Sequence, residues 1–525
     1  MPCDTALSLA EYSRYSRQLL LPPPAFHGID AQLRLKRARV LVVGAGGLGC
    51  PSITFLAAAG IGHITVIDPD IVEVSNLARQ FLHTDEGAQQ AISKVHSVAH
   101  AVARINPHVH VRPLFESFSA ANALDLVADA DLVLDCTDNP LTRYLISDAA
   151  VLAGKPVVSG AAQGIDGQIV VLNKALDDKP NTTNRGPCYR CLFPRAPRPE
   201  EVQNCSDGGV LGVITGLIGT LQALEAIKLL AKLGEDPYAP PTLLLASPLS
   251  VQTPPFRTIK LRPRRTATCR SCGDPTLLPI ESQITALEAE DYLSFCGLNR
   301  PNQPSQQSTP QIDVSSFARI NSTQPNEENQ DSQGDRQNST GPNTVVASIP
   351  PQTPIDSNQS IPSTTTNDTP SEPTLIIDVR PPHEYHIAHL SGSHNVPLAK
   401  IRKRWTQLKR EREKQTQTQT RVSTQTTDGT DDLRAPSPLQ DLGIRTERHP
   451  GQIHVLCRRG NDSREAVSML SALYEASRPP SLSSHSDAPV EQHQQSPLPN
   501  VPRLFNVTGG LHAYAKHVDP NFPVY

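Results

Sequence analysis

The chain has 525 residues and a formal net charge of 48 − 52 = −4. It is too long for one ordinary domain, so two or three are expected, and it lacks the basic excess typical of nucleic-acid-binding proteins. The N-terminus shows no basic segment followed by an apolar run, and ten cysteines over this length do not form a secreted disulfide scaffold. We therefore expect a cytosolic protein, bound directly to neither nucleic acid nor membrane, whose cysteines act as ligands or nucleophiles.

Short apolar runs alternate with helical patterns from residue 39 to about residue 290. The pattern predicts an α/β domain with a mainly parallel sheet, whose strands are expected at 39–43, 63–68, 131–135, 156–160 and 168–172. The longest uncharged apolar stretch, 208–224, is shorter than the ~20 residues that span a bilayer. It is interpreted as a helix buried in a core or a subunit interface.

The first strand runs into the sequence VLVVGAGGLG (40–49), where three glycines have the G-x-G-x-x-G spacing. Such glycines let the backbone approach a polyphosphate, and Asp68 at the end of the next strand is suited to bind ribose hydroxyls. Nicotinamide dehydrogenases and ATP-dependent enzymes both fit this pattern. The motif therefore predicts a nucleotide site without choosing the nucleotide.

Further charged motifs favour ATP. They are RYSRQ (14–18), SNLARQ (75–80), Lys94 and DCTDN (135–139). Arginine and lysine neutralise phosphate charge, and a carboxylate such as Asp138 is a hard ligand for Mg²⁺. A hydride-transfer site needs no such collection of groups.

Together with GPCYRC (186–191) and NCSDGGVLG (204–212), these motifs resemble the adenylating domain of the bacterial enzymes that activate molybdopterin synthase and the thiamine-pathway sulfur carrier, which are related to ubiquitin-activating enzymes. The resemblance implies a Rossmann-like fold, ATP with Mg²⁺, a protein substrate ending in Gly-Gly, and a homodimer in which Arg17 reaches the second subunit's site. It also implies a set of ATP- and metal-binding residues: Gly47, Asp68, Ser75, Asn76, Leu77, Ala78, Arg79, Lys94, Asp138 and Asn139.

Two C-x-x-C pairs, Cys188 with Cys191 and Cys269 with Cys272, have the ligand set of a closed structural Zn²⁺ site. A redox disulfide is the alternative, and a reducing compartment disfavours it. Cys205 belongs to neither pair. The resemblance implies that it takes part in covalent handling of the activated carrier, and an inert buried thiol is the alternative. The remaining cysteines of this half have no partner motif and are expected to be structural.

Residues 301–372 differ in composition from the rest of the chain. Most of them are Ser, Thr, Asn, Gln or Pro, and such a segment buries too little apolar surface to offset its chain entropy. The predicted organisation is therefore an adenylating domain (1–290), a disordered linker (291–372) and a C-terminal domain (373–525). Polar stretches near 411–450 and 477–500 are interpreted as surface insertions in that last domain.

Cys457 follows the apolar run IHVL and precedes the loop RRGNDS. A cysteine that merely packs at a strand end is the ordinary interpretation, but the flanking stretches DVR (378–380), HLSGSHNVP (389–397) and VTGGL (507–511) resemble a rhodanese domain. The resemblance implies an α/β fold. A loop whose N–H groups face the sulfur, with two arginines nearby, favours a thiolate and then a persulfide anion at Cys457.

An activating domain joined to a rhodanese domain resembles the eukaryotic adenylyltransferase and sulfurtransferase family of molybdopterin-synthase sulfurylases. The family implies a bifunctional enzyme that adenylates a carrier's C-terminal glycine and converts it to a thiocarboxylate with sulfur from Cys457. The implied carriers are the ubiquitin-related modifier and the small subunit of molybdopterin synthase. Their sulfur serves 2-thiolation of the tRNA wobble uridine and molybdenum cofactor biosynthesis. A persulfide protein such as a cysteine desulfurase is the expected donor.

Overall fold

A computed structural model describes residues 6–179, 182–196, 209–296, 309–322, 345–347, 374–419, 438–444, 450–476 and 502–523. The chain forms two compact units, Met1–Pro301 and Asn302–Tyr525, which we call the first and second unit. Each is described by itself.

The first unit contains both helices and strands. The helices are α1 (Leu9–Leu19), α2 (Gly28–Arg37), α3 (Gly49–Ala59), α4 (Asp85–Gln89), α5 (Lys94–Ile105), α6 (Ala120–Ala128), α7 (Pro140–Leu152), α8 (Tyr189–Leu192), α9 (Gly212–Ala231) and α10 (Tyr292–Phe295). The strands are β1 (Arg39–Val43), β2 (His63–Ile67), β3 (His110–Leu114), β4 (Leu132–Asp135), β5 (Val157–Gln163), β6 (Asp166–Leu172), β7 (Thr242–Ala246) and β8 (Phe256–Lys260).

Within the described residues, these strands form one sheet in the order β3-β2-β1-β4-β5-β6-β7-β8. The pairs from β3 to β5 are parallel, and β6, β7 and β8 extend the sheet in antiparallel fashion. β1 lies in the parallel part, and Val40 to Val43 are all buried, as is typical of a parallel strand covered on both faces. The expectation of a mainly parallel α/β domain is confirmed, while β3, β7 and β8 were not among the predicted strands.

Helix α9 contains the apolar stretch 212–224 and packs against α3, β5 and β6. By length and composition it is the one helix in the described part of the chain that qualifies as a membrane span. One face, which includes Ile214, Ile218 and Gln222, is buried in the core. Val213 and Leu224 on the remaining surface are exposed. The arrangement is that of a core helix with an apolar outer side.

The second unit is built on a parallel sheet. Its strands are β9 (Gln311–Ile312), β10 (Val345–Ala347), β11 (Thr374–Asp378), β12 (Ala388–Leu390), β13 (Ser393–Asn395), β14 (Gln452–Leu456) and β15 (Arg503–Val507). Its helices are α11 (Val314–Ser322), α12 (Pro382–Tyr385), α13 (Leu398–Gln419), α14 (Pro438–Asp441), α15 (Asn461–Ala476) and α16 (Gly510–His517). The described strands pair in the order β13-β11-β14-β15-β9, and β10 pairs with β12.

The prediction of a disordered linker over 291–372 is wrong for part of that range. Helix α10 and Cys296 pack in the core of the first unit, and residues 309–322 belong to the second unit. There β9 adds to the edge of β15, and Asp313 caps the start of α11. A buried stripe of Val314, Phe317 and Ala318 holds α11 against α16. Three further residues form β10, and the rest of the range lies outside the described residues.

This correction shortens the connection between the two units. The connection runs only from Cys296, in the core of the first unit, to Gln311 in β9 of the second unit. The connection is therefore much shorter than the predicted linker. The predicted insertion near 411–450 begins inside α13 and contains α14, while its remainder and 477–500 lie outside the described residues.

His454 of β14 should make the stability of the second unit depend on pH. The side chain is fully buried between Phe317 and Phe505, and its Nδ1 accepts a hydrogen bond from Asn321. Its Nε2 has no hydrogen-bond partner among the residues that the structure describes. Burial lowers the pKa of His454 from 6.5 to about 4. Between these two pKa values the unfolded state binds a proton that the folded state does not. The free energy of unfolding therefore falls as the pH falls from 6.5 to about 4.

We expect a loss of about 3 kcal/mol between pH 6.5 and pH 4, at about 1.4 kcal/mol per pKa unit. Trp405, the one tryptophan of the chain, packs on the core of the second unit, so its fluorescence reports that unit's unfolding in urea. His454→Leu should flatten the pH dependence, whereas His517→Gln at an exposed histidine should not. An unchanged slope in His454→Leu would show that another group titrates.

Candidate active sites

A pocket of about 370 Å³ opens at the carboxyl ends of the parallel strands of the first unit. It lies where β1 and β4 are neighbours although they are far apart in sequence, which is where open α/β sheets bind their ligands. Six of the predicted ATP-site residues line it: Gly47, Asp68, Arg79, Lys94, Asp138 and Asn139.

The glycine-rich turn between β1 and α3 forms part of the pocket wall. Gly44 has a φ of +101°, and a Cβ there would lie 2.7 Å from the carbonyl oxygen of Cys136, so only glycine fits. The N–H of Ala45 donates to a carboxylate oxygen of Asp68 at 2.7 Å. The turn is therefore fixed before any ligand binds.

Asp68 follows β2 and is 7 % exposed. Its second carboxylate oxygen accepts the N–H of Asp70, and burial raises the pKa of Asp68 while Lys94 opposes that shift. Each carboxylate oxygen has two lone pairs, so Asp68 retains acceptor capacity for ribose hydroxyls. Lys94 begins α5, and its ammonium lies 2.7 Å from the carboxylate of Asp70. Asp68, Asp70 and Lys94 thus form one charged part of the pocket lining.

The segment Ser75–Arg79 reaches the same pocket from the stretch that follows β2. Arg79 lines the pocket, and its guanidinium donates to the carbonyl of Ser75 and to the amide oxygen of Asn76. These bonds aim the guanidinium. Ser75, Asn76, Leu77 and Ala78 are not among the lining residues, so the contribution of this segment in the structure is to hold Arg79.

Asp138 and Asn139 follow β4. The carboxylate of Asp138 is exposed in the pocket, whereas Asn139 caps α7 by accepting the N–H of Thr142 at 2.9 Å. Because Asn139 and Pro140 start the helix there, the first turn of α7 brings Thr142 and Arg143 to the pocket wall.

Sequence reasoning missed several lining residues, among them Gln80, Thr142, Arg143 and Thr215. A signal for two of them existed, since the Asn-Pro pair marks a helix start whose first turn faces a strand end. Arg17 is exposed on α1 and does not line the pocket of its own chain. Cys205 lies outside the described residues.

The four paired cysteines converge although Cys188 and Cys269 are 81 positions apart in the chain. Their sulfur atoms all lie within 4.8 Å of one another, and neighbouring sulfurs are 3.3–3.8 Å apart. Four thiolates bound at ~2.3 Å in a tetrahedron would be roughly 3.8 Å apart, so the donor set fits Zn²⁺. The backbone N–H of Arg265 donates to Cys191 at 3.3 Å and supports its thiolate.

Cys457 lies at the carboxyl end of β14 and before the N-terminus of α15, and it is 3 % exposed. The N–H of Gly460 donates to its sulfur at 3.0 Å. Gly460 has a φ of +89°, and a Cβ there would lie 2.8 Å from the backbone nitrogen of Gly509. The loop thus needs glycine in order to wrap the sulfur, and α15 begins directly after this loop.

Two further contacts fix this loop. The carbonyls of Cys457 and Arg458 accept the N–H groups of Leu511 and His512 in the first turn of α16, both at 3.0 Å. The hydroxyl of Ser463 lies 3.4 Å from the sulfur of Cys457 and 2.6 Å from the amide oxygen of Asn506. The motif VTGGL contributed to the rhodanese resemblance, but Ser463 and Asn506 carried no separate signal in the sequence.

The fold and the two sites define a class of protein. The first unit matches the ThiF family over residues 15–271, and the second matches the rhodanese-like domain over 365–517. A nucleotide-binding adenylating unit and a sulfur-handling unit are thus combined in one chain.

Full-length relatives give the family. The chain is 36 % identical to adenylyltransferase and sulfurtransferase MOCS3 of Drosophila grimshawi over 99 % of this chain and 87 % of the relative. It is 37 % identical to MOCS3 of Sus scrofa over 100 % and 90 %, and 34 % identical to uba4 of Aspergillus clavatus over 98 % and 87 %. Among solved structures, E. coli MccB aligns at a TM-score of 0.41 with 20 % identity, covering 52 % of this chain and 75 % of that chain.

The protein belongs to the MOCS3/Uba4 family of adenylyltransferases and sulfurtransferases. It is therefore an enzyme that combines these two activities, as its two families of domains also indicate.

Proposed function

We propose that the enzyme adenylates the C-terminal glycine of ubiquitin-like sulfur carriers and converts it to a thiocarboxylate. The observation that carries the proposal is the presence, in one chain, of a pocket lined by phosphate-binding cations and of a cysteine wrapped by a rhodanese-type loop. The carriers proposed are the ubiquitin-related modifier and the small subunit of molybdopterin synthase. Their sulfur then serves tRNA wobble-uridine 2-thiolation and molybdenum cofactor biosynthesis.

Adenylation begins with ATP in the pocket of the first unit. The carrier's carboxylate attacks the α-phosphate, and pyrophosphate leaves as the acyl-adenylate forms. Arg79 and Lys94 neutralise phosphate charge, and Asp68 binds the ribose. The exposed carboxylate of Asp138 fits a hard cation, and Mg²⁺ held there would neutralise charge on the leaving pyrophosphate.

Sulfur transfer uses Cys457. Its persulfide anion attacks the acyl carbon, AMP leaves, and an acyl disulfide forms that a thiol must reduce to release the thiocarboxylate. The attack is either direct or follows transfer of sulfur to Cys205.

The four-cysteine site is proposed to bind one structural Zn²⁺ per chain. Zinc there would link α8 to the remote segment that contains Cys269 and Cys272, and no ligand position remains for chemistry. Next to it, Arg190 forms a buried ion pair with Asp148 of α7 at 2.9 Å, so the cysteine site is anchored to the main core.

Loss of a zinc ligand should act on folding. We expect Cys269→Ser to lose zinc, to lower the melting temperature of the first unit and to reduce soluble yield, because metal binding is coupled to folding. The protein that remains folded should keep a near-normal KM for ATP. Elemental analysis gives the zinc content, and Cys296→Ser, at a buried cysteine outside the site, serves as control. Well-folded wild-type protein without zinc would refute the assignment.

The remaining parts of the proposal concern the oligomeric state, the sulfur donor and the cellular location. A homodimer brings Arg17 of one subunit to the ATP pocket of the other, and the exposed residues Val213 and Leu224 of α9 provide an apolar surface for such contacts. A persulfide protein such as a cysteine desulfurase is the proposed donor, in the cytosol.

One reaction tests the central proposal, the ATP-dependent conversion of the carrier's C-terminal carboxylate to a thiocarboxylate. Full-length protein is incubated with each purified carrier, ATP, Mg²⁺, a cysteine desulfurase with cysteine, and a reductant. Mass spectrometry of the intact carrier should show the mass increase for replacement of one oxygen by sulfur, dependent on ATP. Omission of ATP and a carrier that lacks its last glycine are the controls. An unmodified carrier under complete conditions would contradict the proposal.

A further inference from the structure

Beside the ATP pocket, a buried histidine contacts the glycine-rich turn at the carbonyl group of Ala45. His83 is 5 % exposed, and its Nε2 lies 3.0 Å from that carbonyl oxygen. Its Nδ1 lies 3.0 Å from the hydroxyl of Ser97 on α5. None of the motifs that predicted the ATP site includes this residue.

The protonation of the ring follows from its partners. A carbonyl oxygen only accepts hydrogen bonds, so Nε2 carries a proton and donates it to Ala45. The hydroxyl of Ser97 then donates to Nδ1 of the neutral ring. Burial lowers the pKa of His83, the hydrogen bond to Ala45 opposes this shift, and the nearby charge of Lys94 adds to it; the net lowering favours the neutral ring at physiological pH.

Ala45 is thereby held on both sides of its backbone. Asp68 accepts its N–H at 2.7 Å, and His83 donates to its C=O at 3.0 Å. Ala45 itself is fully buried and lies between two glycines that line the pocket, Gly44 and Gly46. A glycine-rich turn has more accessible backbone conformations than other sequences, so these two bonds limit it to one of them.

The position of His83 also links the turn to the cations of the pocket. The residue ends the stretch that carries Arg79 and Gln80 into the pocket, and its partner Ser97 lies about one helical turn after Lys94. One side chain thus connects three separate segments that supply lining residues.

We propose that His83 is a positioning residue of the adenylation site, which fixes the Gly44–Gly46 turn in the conformation that receives the phosphates of ATP. It acts through Ala45 and touches no reacting atom. The inference rests on the proposed use of ATP by this pocket. A preformed turn lowers the ordering cost of binding, so its loss should weaken ATP binding more than turnover at saturation.

Binding of ATP with Mg²⁺ to the full-length protein, measured by calorimetry, tests the inference. His83→Leu should raise the Kd for ATP roughly tenfold, because a buried carbonyl loses its donor. At saturating ATP the rate of carrier-dependent pyrophosphate exchange should stay within about twofold, and the KM for the carrier should not change. His83→Gln, whose amide can donate from a similar position, should restore the Kd to within about threefold of wild type.

Two further variants separate positioning from folding. Ser97→Ala removes only the hydroxyl that orients the ring and should raise the Kd about threefold. His100→Leu changes an exposed histidine on the same helix and should have no effect. Zinc content and melting temperature establish that each variant is folded. If His83→Leu does not fold, Ser97→Ala decides, and an unchanged Kd there overturns the inference.

The outcomes are distinct. A wild-type Kd in folded His83→Leu overturns the positioning role and leaves the adenylation proposal intact. Equal weakening by His83→Gln and His83→Leu would assign the effect to packing and also overturn it. Wild-type protein that does not bind ATP contradicts the adenylation proposal, and the inference with it.

Discussion

Replacement of Cys457 by alanine should abolish thiocarboxylate formation and leave adenylation nearly unchanged. The sulfur of Cys457 is the atom that the loop wraps, through the N–H of Gly460 and the start of α15, and no other described residue of the second unit offers a thiol. Removal of the nucleophile should reduce sulfur transfer to below about one thousandth of wild type. Alanine fills less space but introduces no polar group into the core, so the second unit should stay folded.

Two assays on the same preparation measure this separation. ATP–pyrophosphate exchange with the carrier reports the first unit, and mass spectrometry of the carrier reports sulfur transfer. Cys296→Ala, at another buried cysteine, should retain both activities. Loss of exchange in Cys457→Ala would falsify the division of labour between the two units.

Replacement of Asp138 by alanine should have the opposite result. Its carboxylate is exposed in the pocket after the end of β4 and is the proposed Mg²⁺ ligand. Loss of one group that stabilises developing charge commonly costs about 10²–10³-fold in rate, so pyrophosphate exchange should fall by about that factor. Thiocarboxylate formation should fall with it, because sulfur transfer needs the acyl-adenylate.

The second unit should be unaffected in Asp138→Ala. Incubation of this variant with a cysteine desulfurase and cysteine should load Cys457 with persulfide to the wild-type extent, which measures this directly. Asp178→Ala, at an exposed carboxylate outside the pocket, is the matched control and should retain exchange. Exchange at the wild-type rate in Asp138→Ala would exclude this carboxylate from the metal site.

The sequence by itself determined much of the chemistry. Glycines at 44, 46 and 49 follow an apolar strand, two C-x-x-C pairs occur in remote parts of one domain, and Cys457 precedes a glycine-containing loop. In each of these local patterns, residue type and spacing limit the backbone conformation or the kind of ligand that can bind. Such a pattern can therefore be recognised in the sequence before the fold is known. The parallel order of the early strands likewise follows from alternation of strands and helices.

Other residues of the sites became apparent only in the tertiary structure. His83 is a lone histidine in a polar stretch, and its importance depends on Ala45 and Ser97, which are 38 and 14 residues away. Ser463 and Asn506 meet across 43 residues at the sulfur of Cys457. Residues that are in contact but distant in the chain have no fixed short spacing, so no sequence motif indicates their contact.

Residues 309–322 show where prediction from composition failed and tertiary packing decided the structure. Composition predicted disorder there, because Ser, Thr, Asn, Gln and Pro dominate 301–372 and offer little apolar surface on average. The apolar residues Val314, Phe317 and Ala318 are few, yet their spacing puts them on one face of α11. That face becomes stable only against α16, and β9 only against β15, and both of these partners lie near the far end of the chain. The sequence determined the principal chemical groups of both sites, whereas packing against remote elements decided their supporting contacts and where the second unit begins.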